Sequence, residues 1–210
     1  MPNRVRTGKK GIRAIGLAES FRKEIGSKAV IAGVVMRSDL LVDGFGFATC
    51  TVGGMDSTEK VIELWRRLER KDINVVLLSG SVISWFNVID LNKLYREVET
   101  PLICLSYRES KGLDEVFRKR FPEDWETRLN VHLSNGERTP LKLKTGYSVF
   151  VRVFGVDTED AKQVLDKFLV NGRYPEPVRL AKLLARSALN NLQPLFVQGP
   201  GLGNEGGQAL

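Results

Sequence analysis

The chain has 210 residues, of which 42% are hydrophobic and 27% charged, a composition typical of a globular domain rather than a disordered protein. Its two cysteines stand alone in apolar runs, and no apolar run approaches the ~20 residues of a membrane span. These features argue against a zinc finger, a disulfide scaffold and a membrane protein. The net charge of +7 favours a polyanionic partner such as nucleic acid, but a charge-rich, heat-stable surface explains it equally well.

Composition along the chain predicts three parts. Residues 1–10 are basic and free of acidic residues, which indicates a flexible arm, and residues 199–210 are a Gly-rich flexible tail. Residues 11–198 contain no linker and no internal repeat, so we expect a single domain there. Because no signal-peptide apolar stretch is present, we expect a soluble, cytoplasmic protein.

The first half of the domain predicts strands before helices. The run 29–36 is almost continuously apolar and β-branched, which indicates a strand buried on both faces. It is preceded by a short strand at 12–17 and followed by a hairpin into 40–42 and 45–52. A helix is expected to begin at about Asp56, and the apolar face of this helix includes Val61, Ile62 and Leu68.

The second half alternates strands and helices. We expect strands at 74–78 and 101–106, and helices at 90–97 and 110–121. Asn135-Gly136 indicates a turn between two short extended pieces, 147–154 alternates as a strand, and two helices end the domain. The order predicts an α/β fold with a mixed sheet.

No phosphate-binding glycine loop is present, so the remaining candidates are polar groups at strand ends. Glu19 follows the first strand, Asp56 follows the third, and Ser79 ends the fourth. Two carboxylates that meet at such an edge can hold Mg²⁺ for phosphodiester hydrolysis. Structural readings compete: Asp56 and Asp90 are both suited to cap helices, and Glu19 and Ser79 to ordinary loop positions.

Basic and aromatic residues give a second set of candidates. Arg66 and Arg67 lie on a predicted helix, where they would contact phosphates or simply face solvent. Trp85 and Phe86 follow a buried strand, where an aromatic pair would stack on bases or pack into the core.

Five segments resemble an archaeal family labelled endonuclease dU, in order and over most of residues 11–187. They are GLAESF (16–21), GGMDST (53–58), SGSVISWFNVIDL (79–91), TPLICLSYRESKGL (100–113) and GRYPEPVRLAKLLARS (172–187). The family is in turn distantly similar to endonuclease V. The resemblance therefore implies a ribonuclease H-like fold: a mixed sheet of about five strands flanked by helices, with a C-terminal β-hairpin and helices.

Compared with endonuclease V, this sequence departs at three positions. Ala18 stands where that enzyme has a metal-binding Asp, and Glu19 comes one residue later. Ser79 replaces the Asp of its Asp-Gly, and no His is found near Phe154, while Asp56 falls near its catalytic Glu. Strand alternation would point Ala18 and Glu19 to opposite faces unless a bulge re-aims the carboxylate.

The resemblance implies a Mg²⁺-dependent endonuclease that cleaves DNA near a deaminated base such as uracil. In that hypothesis Glu19 and Asp56 hold the metal, Ser79 positions water and Asp90 is a replacement carboxylate. The residues expected on DNA are Trp85 and Phe86 at the lesion, with Arg66 and Arg67 on phosphates. The alternative is a catalytically inert nucleic-acid-binding module with a degenerate metal site. A third reading, a nucleotide- or small-molecule-binding domain, requires a deep pocket near Glu19.

Overall fold

The structure is a computed structural model that describes residues 11–24, 27–109 and 112–191. The predicted arm at 1–10, the predicted tail at 199–210 and the domain end at 192–198 lie outside the described residues. The strands are β1 (Arg13–Ser20), β2 (Lys28–Arg37), β3 (Val42–Thr51), β4 (Val75–Ser79), β5 (Val82–Ile83), β6 (Asn87–Val88), β7 (Leu102–Ser106), β8 (Thr139–Lys142) and β9 (Ser148–Phe154). The helices are α1 (Ser57–Arg67), α2 (Leu91–Val98), α3 (Asp114–Arg120), α4 (Trp125–Ser134), α5 (Thr158–Lys167) and α6 (Glu176–Asn191).

Seven strands form one mixed sheet in the order β3-β2-β1-β4-β7-β9-β8, which confirms the predicted α/β class. Strands β1, β4 and β7 are parallel neighbours, and the outer strands pair antiparallel. The carboxyl ends of these three parallel strands therefore meet at one edge, the place where open α/β sheets bind ligands. The described residues include no helix long and apolar enough to cross a membrane.

Helices cover the sheet on both faces. Helices α1 and α2 pack on one face, and α5 and α6 on the other. Strand β2 accordingly has eight consecutive buried residues, from Ala29 to Met36. Its continuous apolar run arises because side chains of both orientations meet a helix layer.

The C-terminal hairpin is part of the central sheet. Strand β9 pairs with β7 and β8 pairs with β9, so the expected sheet of about five strands gains two at this side. The two segments expected at 40–42 and 45–52 are replaced by the single strand β3, Val42–Thr51, which follows a turn.

Two elements differ from the sequence-based expectation. The segment before Asn135, predicted to be extended, is helix α4, and a two-stranded hairpin, β5–β6, surrounds Trp85. Helix α4 has no apolar stripe that could reveal it, because the buried residue it contributes is Arg128. Strands β5 and β6 have two residues each, too few for a recognisable alternation.

Helix α6 crosses β1 at a point of backbone contact. A Cβ atom added to Gly16 would lie 2.2 Å from the carbonyl carbon of Pro177 and 2.4 Å from the Val178 nitrogen. Backbone atoms cannot yield as a flexible side chain does, so this crossing needs a residue without a side chain. It fixes α6 over β1 and thereby the position of Lys182 beside the strand end.

We expect Gly16→Ala to destabilise the fold by at least about 2 kcal/mol, because α6 must move off the sheet to admit one methyl group. Gly46→Ala is the matched control: its added Cβ would lie 3.3 Å from a Leu68 side-chain atom, which can move. Urea unfolding of both variants measures the difference. Equal losses would contradict a tight crossing at Gly16.

Candidate functional site

Glu19 lies at the carboxyl end of β1 on the α1 side of the sheet. The pairing of β1 with β2 is unbroken from Arg13 to Ser20, so no bulge re-aims its side chains. Ala18 consequently packs under α6, against Val34 and Ala181, and the Glu19 side chain points to the opposite face. The carboxylate available at this edge is therefore that of Glu19 and not one at position 18.

The Glu19 carboxylate is only partly satisfied. The Lys182 Nζ donates to the Glu19 backbone oxygen at 2.6 Å and lies 3.5 Å from Oε1. Oε2 is buried and has no hydrogen-bond partner among the described residues. Burial raises the pKa of Glu19 above its ordinary value, and the Lys182 charge opposes that rise without cancelling it. Such an oxygen can accept a proton, a donor group or a cation.

An open cleft of about 330 Å³ lies against Glu19. Its lining is formed by Glu19, Phe21, Lys23, Val82, Ile83, Ser84, Trp85, Phe86 and Arg120. We call it the Glu19 cleft. Asp56, Ser79 and Asp90 are not among the residues that line it.

The floor of the cleft is an unusual loop. Ser84, Trp85 and Phe86 link β5 to β6, and all three have left-handed backbone angles, with φ of 43°, 59° and 67°. Consecutive non-glycine residues in this region are strained and persist where surrounding contacts hold them. The loop presents the Trp85 indole to the cleft, and the Trp85 Nε1 is buried without a hydrogen-bond partner among the described residues.

Two cations accompany Trp85. Lys23 Nζ lies 5.8 Å and the Arg120 guanidinium carbon 5.5 Å from the ring centre. Neither side chain forms an ion pair within the described part of the chain. Neither residue stands out in the sequence as part of a site, because each is an ordinary basic residue until the fold brings it to the aromatic ring.

Phe86 has a packing role. Its ring meets Phe117 and Phe121 edge-on, with 6.1 Å between ring centres in each case. Phe86 thereby anchors the loop to α3, and the lesion-probing role expected for the pair stays a prediction.

Arg128 holds this loop in place from α4. Its guanidinium donates to the carbonyl oxygens of Gly53, Gly54 and Phe86 at 2.8, 3.1 and 2.8 Å. It also forms a two-point ion pair with Asp124, and its side chain is 3% exposed. Arg128 is a third residue that the sequence does not single out, since a buried arginine is not distinguishable from a surface one in the sequence.

Asp56 has a structural role. Its Oδ1 accepts from the Thr51 backbone N–H and the Asn87 amide at 3.0 and 2.8 Å, and Oδ2 accepts from the Thr51 hydroxyl at 3.0 Å and the same N–H at 3.1 Å. Burial acts to raise the pKa of Asp56, but these hydrogen bonds outweigh it and hold the pKa below its ordinary value. Asp56 occupies the N-cap position of α1, as predicted, but its side chain makes no cap hydrogen bond to that helix.

The remaining acidic and hydroxyl candidates are placed elsewhere. Asp90 caps α2, since its Oδ1 accepts from the Lys93 backbone N–H at 2.8 Å. Ser79 follows the alternation of β4, in which Leu78 faces the α1 side and Leu77 the α5–α6 side. Ser79 therefore shares the face of Leu77, opposite to that of Glu19.

Arg66 and Arg67 lie at the wrong end of the sheet for the cleft. They form the last turn of α1, about 16 Å along the helix from its start near Asp56. Arg66 pairs with Glu97 at 2.6 Å. Arg66 and Arg67 are therefore not among the residues that line the Glu19 cleft, whereas Lys23 and Arg120 are, and the phosphate role expected for the two arginines stays a prediction.

The donor set fits a metal that arrives with its substrate. Among the described residues no three His, Cys, Asp or Glu side chains come together as a closed metal site needs. Glu19 still has one buried oxygen without a hydrogen-bond partner among the described residues. Mg²⁺ is commonly held by one or two carboxylates together with substrate phosphates. Asp56 fits less well because four donor contacts already occupy its oxygens.

The family model described as endonuclease dU matches residues 10–189. The chain belongs to the endonuclease dU family. Among its relatives are UPF0215 proteins of Pyrobaculum calidifontis, 36% identical over 81% of this chain and 93% of the relative, and of Pyrococcus furiosus, 31% identical over 88% and 96%. The predicted family is thus confirmed.

Solved structures confirm the ribonuclease H-like fold. A protein of unknown function from Archaeoglobus fulgidus is similar with a TM-score of 0.71 and 26% identity, over 85% of this chain and 98% of that one. Human endonuclease V matches with a TM-score of 0.58 and 17% identity, over 87% and 86%. Ciona intestinalis endonuclease V, solved with DNA that contains an inosine, matches with a TM-score of 0.57 and 16% identity, over 87% of each chain. Family membership, together with this fold, supports a nuclease.

We expect the stability of the protein to depend on pH through Glu19. The pKa of this carboxyl is raised above 4.5 in the folded state, so the folded chain binds the proton more tightly than the unfolded chain does. Stability therefore falls as pH rises from the unfolded-state pKa through the folded-state pKa. Glu19→Gln replaces the titratable carboxyl with a neutral amide. The melting temperature of this variant, relative to that of wild type, should therefore increase from pH 4 to pH 8. Glu159→Gln makes the same change of charge at an exposed position on α5. This control variant should show no such trend. Parallel curves for wild type and Glu19→Gln would contradict a raised pKa.

Asp56→Ala should lower the free energy of unfolding by about 2–3 kcal/mol, because several hydrogen bonds to one carboxylate are lost together. Asp157→Ala, which removes a single helix-cap bond from α5, should lower it by about 1 kcal/mol. Urea titrations of the two variants measure the contrast. A loss at Asp56 no larger than at Asp157 would show that its network is of little weight.

Proposed function

We propose that this protein is a Mg²⁺-dependent endonuclease that cleaves DNA near a deaminated base such as uracil, and that the Glu19 cleft engages this substrate. The observation that carries the proposal is the buried, unpartnered oxygen of Glu19 beside Trp85 on an endonuclease V-like fold. Glu19 would hold the metal together with a DNA phosphate. When bound, the metal activates water and stabilises the leaving oxygen.

The chain's own residues would bind and orient the DNA. Lys23 and Arg120 lie where they can contact phosphates on either side of the nucleotide in the cleft. Trp85 lines the cleft and would offer an aromatic surface to a base that leaves the stack. Lys182 orients Glu19 through its backbone oxygen and limits the negative charge that meets the phosphate.

A catalytically inert nucleic-acid-binding module is the second candidate. The occupied oxygens of Asp56 favour it, because Glu19 is the one acidic residue among the described residues that line the cleft. The two functions differ in their response to metal. An inert module would bind DNA with a strong salt dependence, and Mg²⁺ would have no specific effect on that binding.

End-labelled duplexes that contain uracil, hypoxanthine or no damage, incubated with Mg²⁺ or EDTA, test the proposal. We expect nicking of a damaged duplex that requires Mg²⁺, and a loss of about 100-fold or more in Glu19→Gln. Glu159→Gln should cut like wild type. DNA affinity gives an independent readout: Mg²⁺ should tighten binding by wild type but not by Glu19→Gln. Salt-dependent binding without nicking of any duplex would establish the inert module instead.

A further inference from the structure

The fold brings together two of the segments that carry the family resemblance, although about 65 residues separate them in sequence. Tyr107 directly follows β7, and Tyr174 lies in the turn before α6. Their ring centres are 4.4 Å apart, with the planes tilted by 47°. This contact is distinct from the Glu19 cleft, which neither tyrosine lines.

An arginine completes the pair. The Arg173 Nη1 donates to the Tyr107 backbone oxygen at 3.1 Å, and its guanidinium carbon lies 5.9 and 5.6 Å from the Tyr107 and Tyr174 ring centres. Arg138 reaches the same segment and donates to the Arg108 backbone oxygen at 3.2 Å. Within the described residues, Arg173, Arg138 and Arg108 form no ion pair, so their charges are free for a partner.

The two tyrosines differ in exposure. Tyr107 packs on the inner cluster beneath α5 and α6, whereas Tyr174 is 41% exposed. Tyr107 and Arg173 therefore support a ring that stays partly in water. A tyrosine that served the core alone would bury its ring against apolar neighbours. A rigid, exposed ring beside unpaired guanidinium groups is instead typical of surfaces that bind unpaired nucleobases.

The position of this cluster relative to Glu19 follows from strand register. Leu17 of β1 lies opposite Leu78 of β4, and Leu78 lies opposite Cys104 of β7. Counting two residues onward, Glu19 is level with Ser106, the residue before Tyr107. Two strand spacings separate β1 from β7, roughly 10 Å along the same edge. The Tyr107 and Glu19 side chains point to opposite faces of the sheet. A nucleic-acid strand that reached both would therefore cross this edge of the sheet.

We propose that Tyr174 and Arg173, supported by Tyr107, form a stacking platform for one unpaired base of a single-stranded nucleic acid, with Arg138 on a neighbouring phosphate. We call it the Tyr174 platform. The inference rests on the proposed nucleic-acid substrate and extends it: the protein holds an unpaired nucleotide beside the one in the Glu19 cleft. Base pairs in an intact duplex keep their ring faces stacked on one another and cannot use the platform.

Fluorescence anisotropy with a labelled oligothymidylate tests the platform without requiring cleavage. Stacking on one aromatic ring predicts that Tyr174→Ala weakens binding by about 5- to 100-fold, whereas Tyr174→Phe keeps the ring and stays within about twofold of wild type. Tyr147→Ala is the matched control, since Tyr147 is 54% exposed and lies outside this cluster. Thermal melting of each variant verifies that it is folded.

A second oligonucleotide, with every phosphate but no bases, identifies what Tyr174 contacts. Tyr174→Ala and wild type should bind this abasic strand equally, because the ring then has no base to stack on. An equal loss on both strands would overturn the platform, as would the same affinity for Tyr174→Ala and Tyr147→Ala. A wild-type protein that nicks damaged duplexes but does not bind oligothymidylate would overturn the platform and leave the proposed endonuclease intact. Absence of Mg²⁺-dependent nicking would instead refute the proposed endonuclease, while a Tyr174-dependent affinity would still establish the platform.

Discussion

The contact on which the candidate site depends is the buried guanidinium of Arg128. It joins helix α4 to two separate loops, the Gly53-Gly54 turn ahead of α1 and the strained loop that ends at Phe86. Burying a charge of this kind is costly unless it is paired and hydrogen-bonded, and Asp124 together with three carbonyl oxygens meets that condition. The contact offsets the strain of three left-handed residues and so keeps Trp85 in the cleft.

At this edge, hydrogen bonds from polar side chains hold the loops in place, whereas apolar packing holds the elements together in the rest of the molecule. Asp56 and Asn87 form a second set of such contacts, in which Asn87 also accepts from the Ser57 N–H that opens α1. Asp56, which the sequence offers as a candidate metal ligand, is consequently used to join the end of β3 to β6. The number of carboxylates near a strand end is a poor guide to the number of metal ligands, because hydrogen bonds can occupy their oxygens first.

Much of the fold could be predicted because its signals are local. The apolar run of β2, the alternation around Val149 and Val151, and the capping of α2 by Asp90 are all legible within ten residues. The candidate site was less accessible because its contacts are long-range. Lys182 lies 163 residues from Glu19 in sequence, and α4 is held by Arg128 rather than by an apolar stripe. No periodicity in the sequence can reveal either contact.

The distribution of paired and unpaired charge gives the two ends of the sheet different characters. At the amino end of β1, Arg13 and Arg70 share the carboxylates of Asp43 and Asp72, so their positive charge is neutralised locally. At the carboxyl edge, Lys23 and Arg120 lie near the Trp85 ring and form no ion pair within the described residues, whereas Lys182 pairs with Glu19 at 3.5 Å. This field attracts phosphate, but a phosphate that reaches Glu19 meets a negative charge. If Glu19 holds Mg²⁺ as proposed, the cation would offset this repulsion, and phosphate binding and metal binding at this edge would then depend on each other.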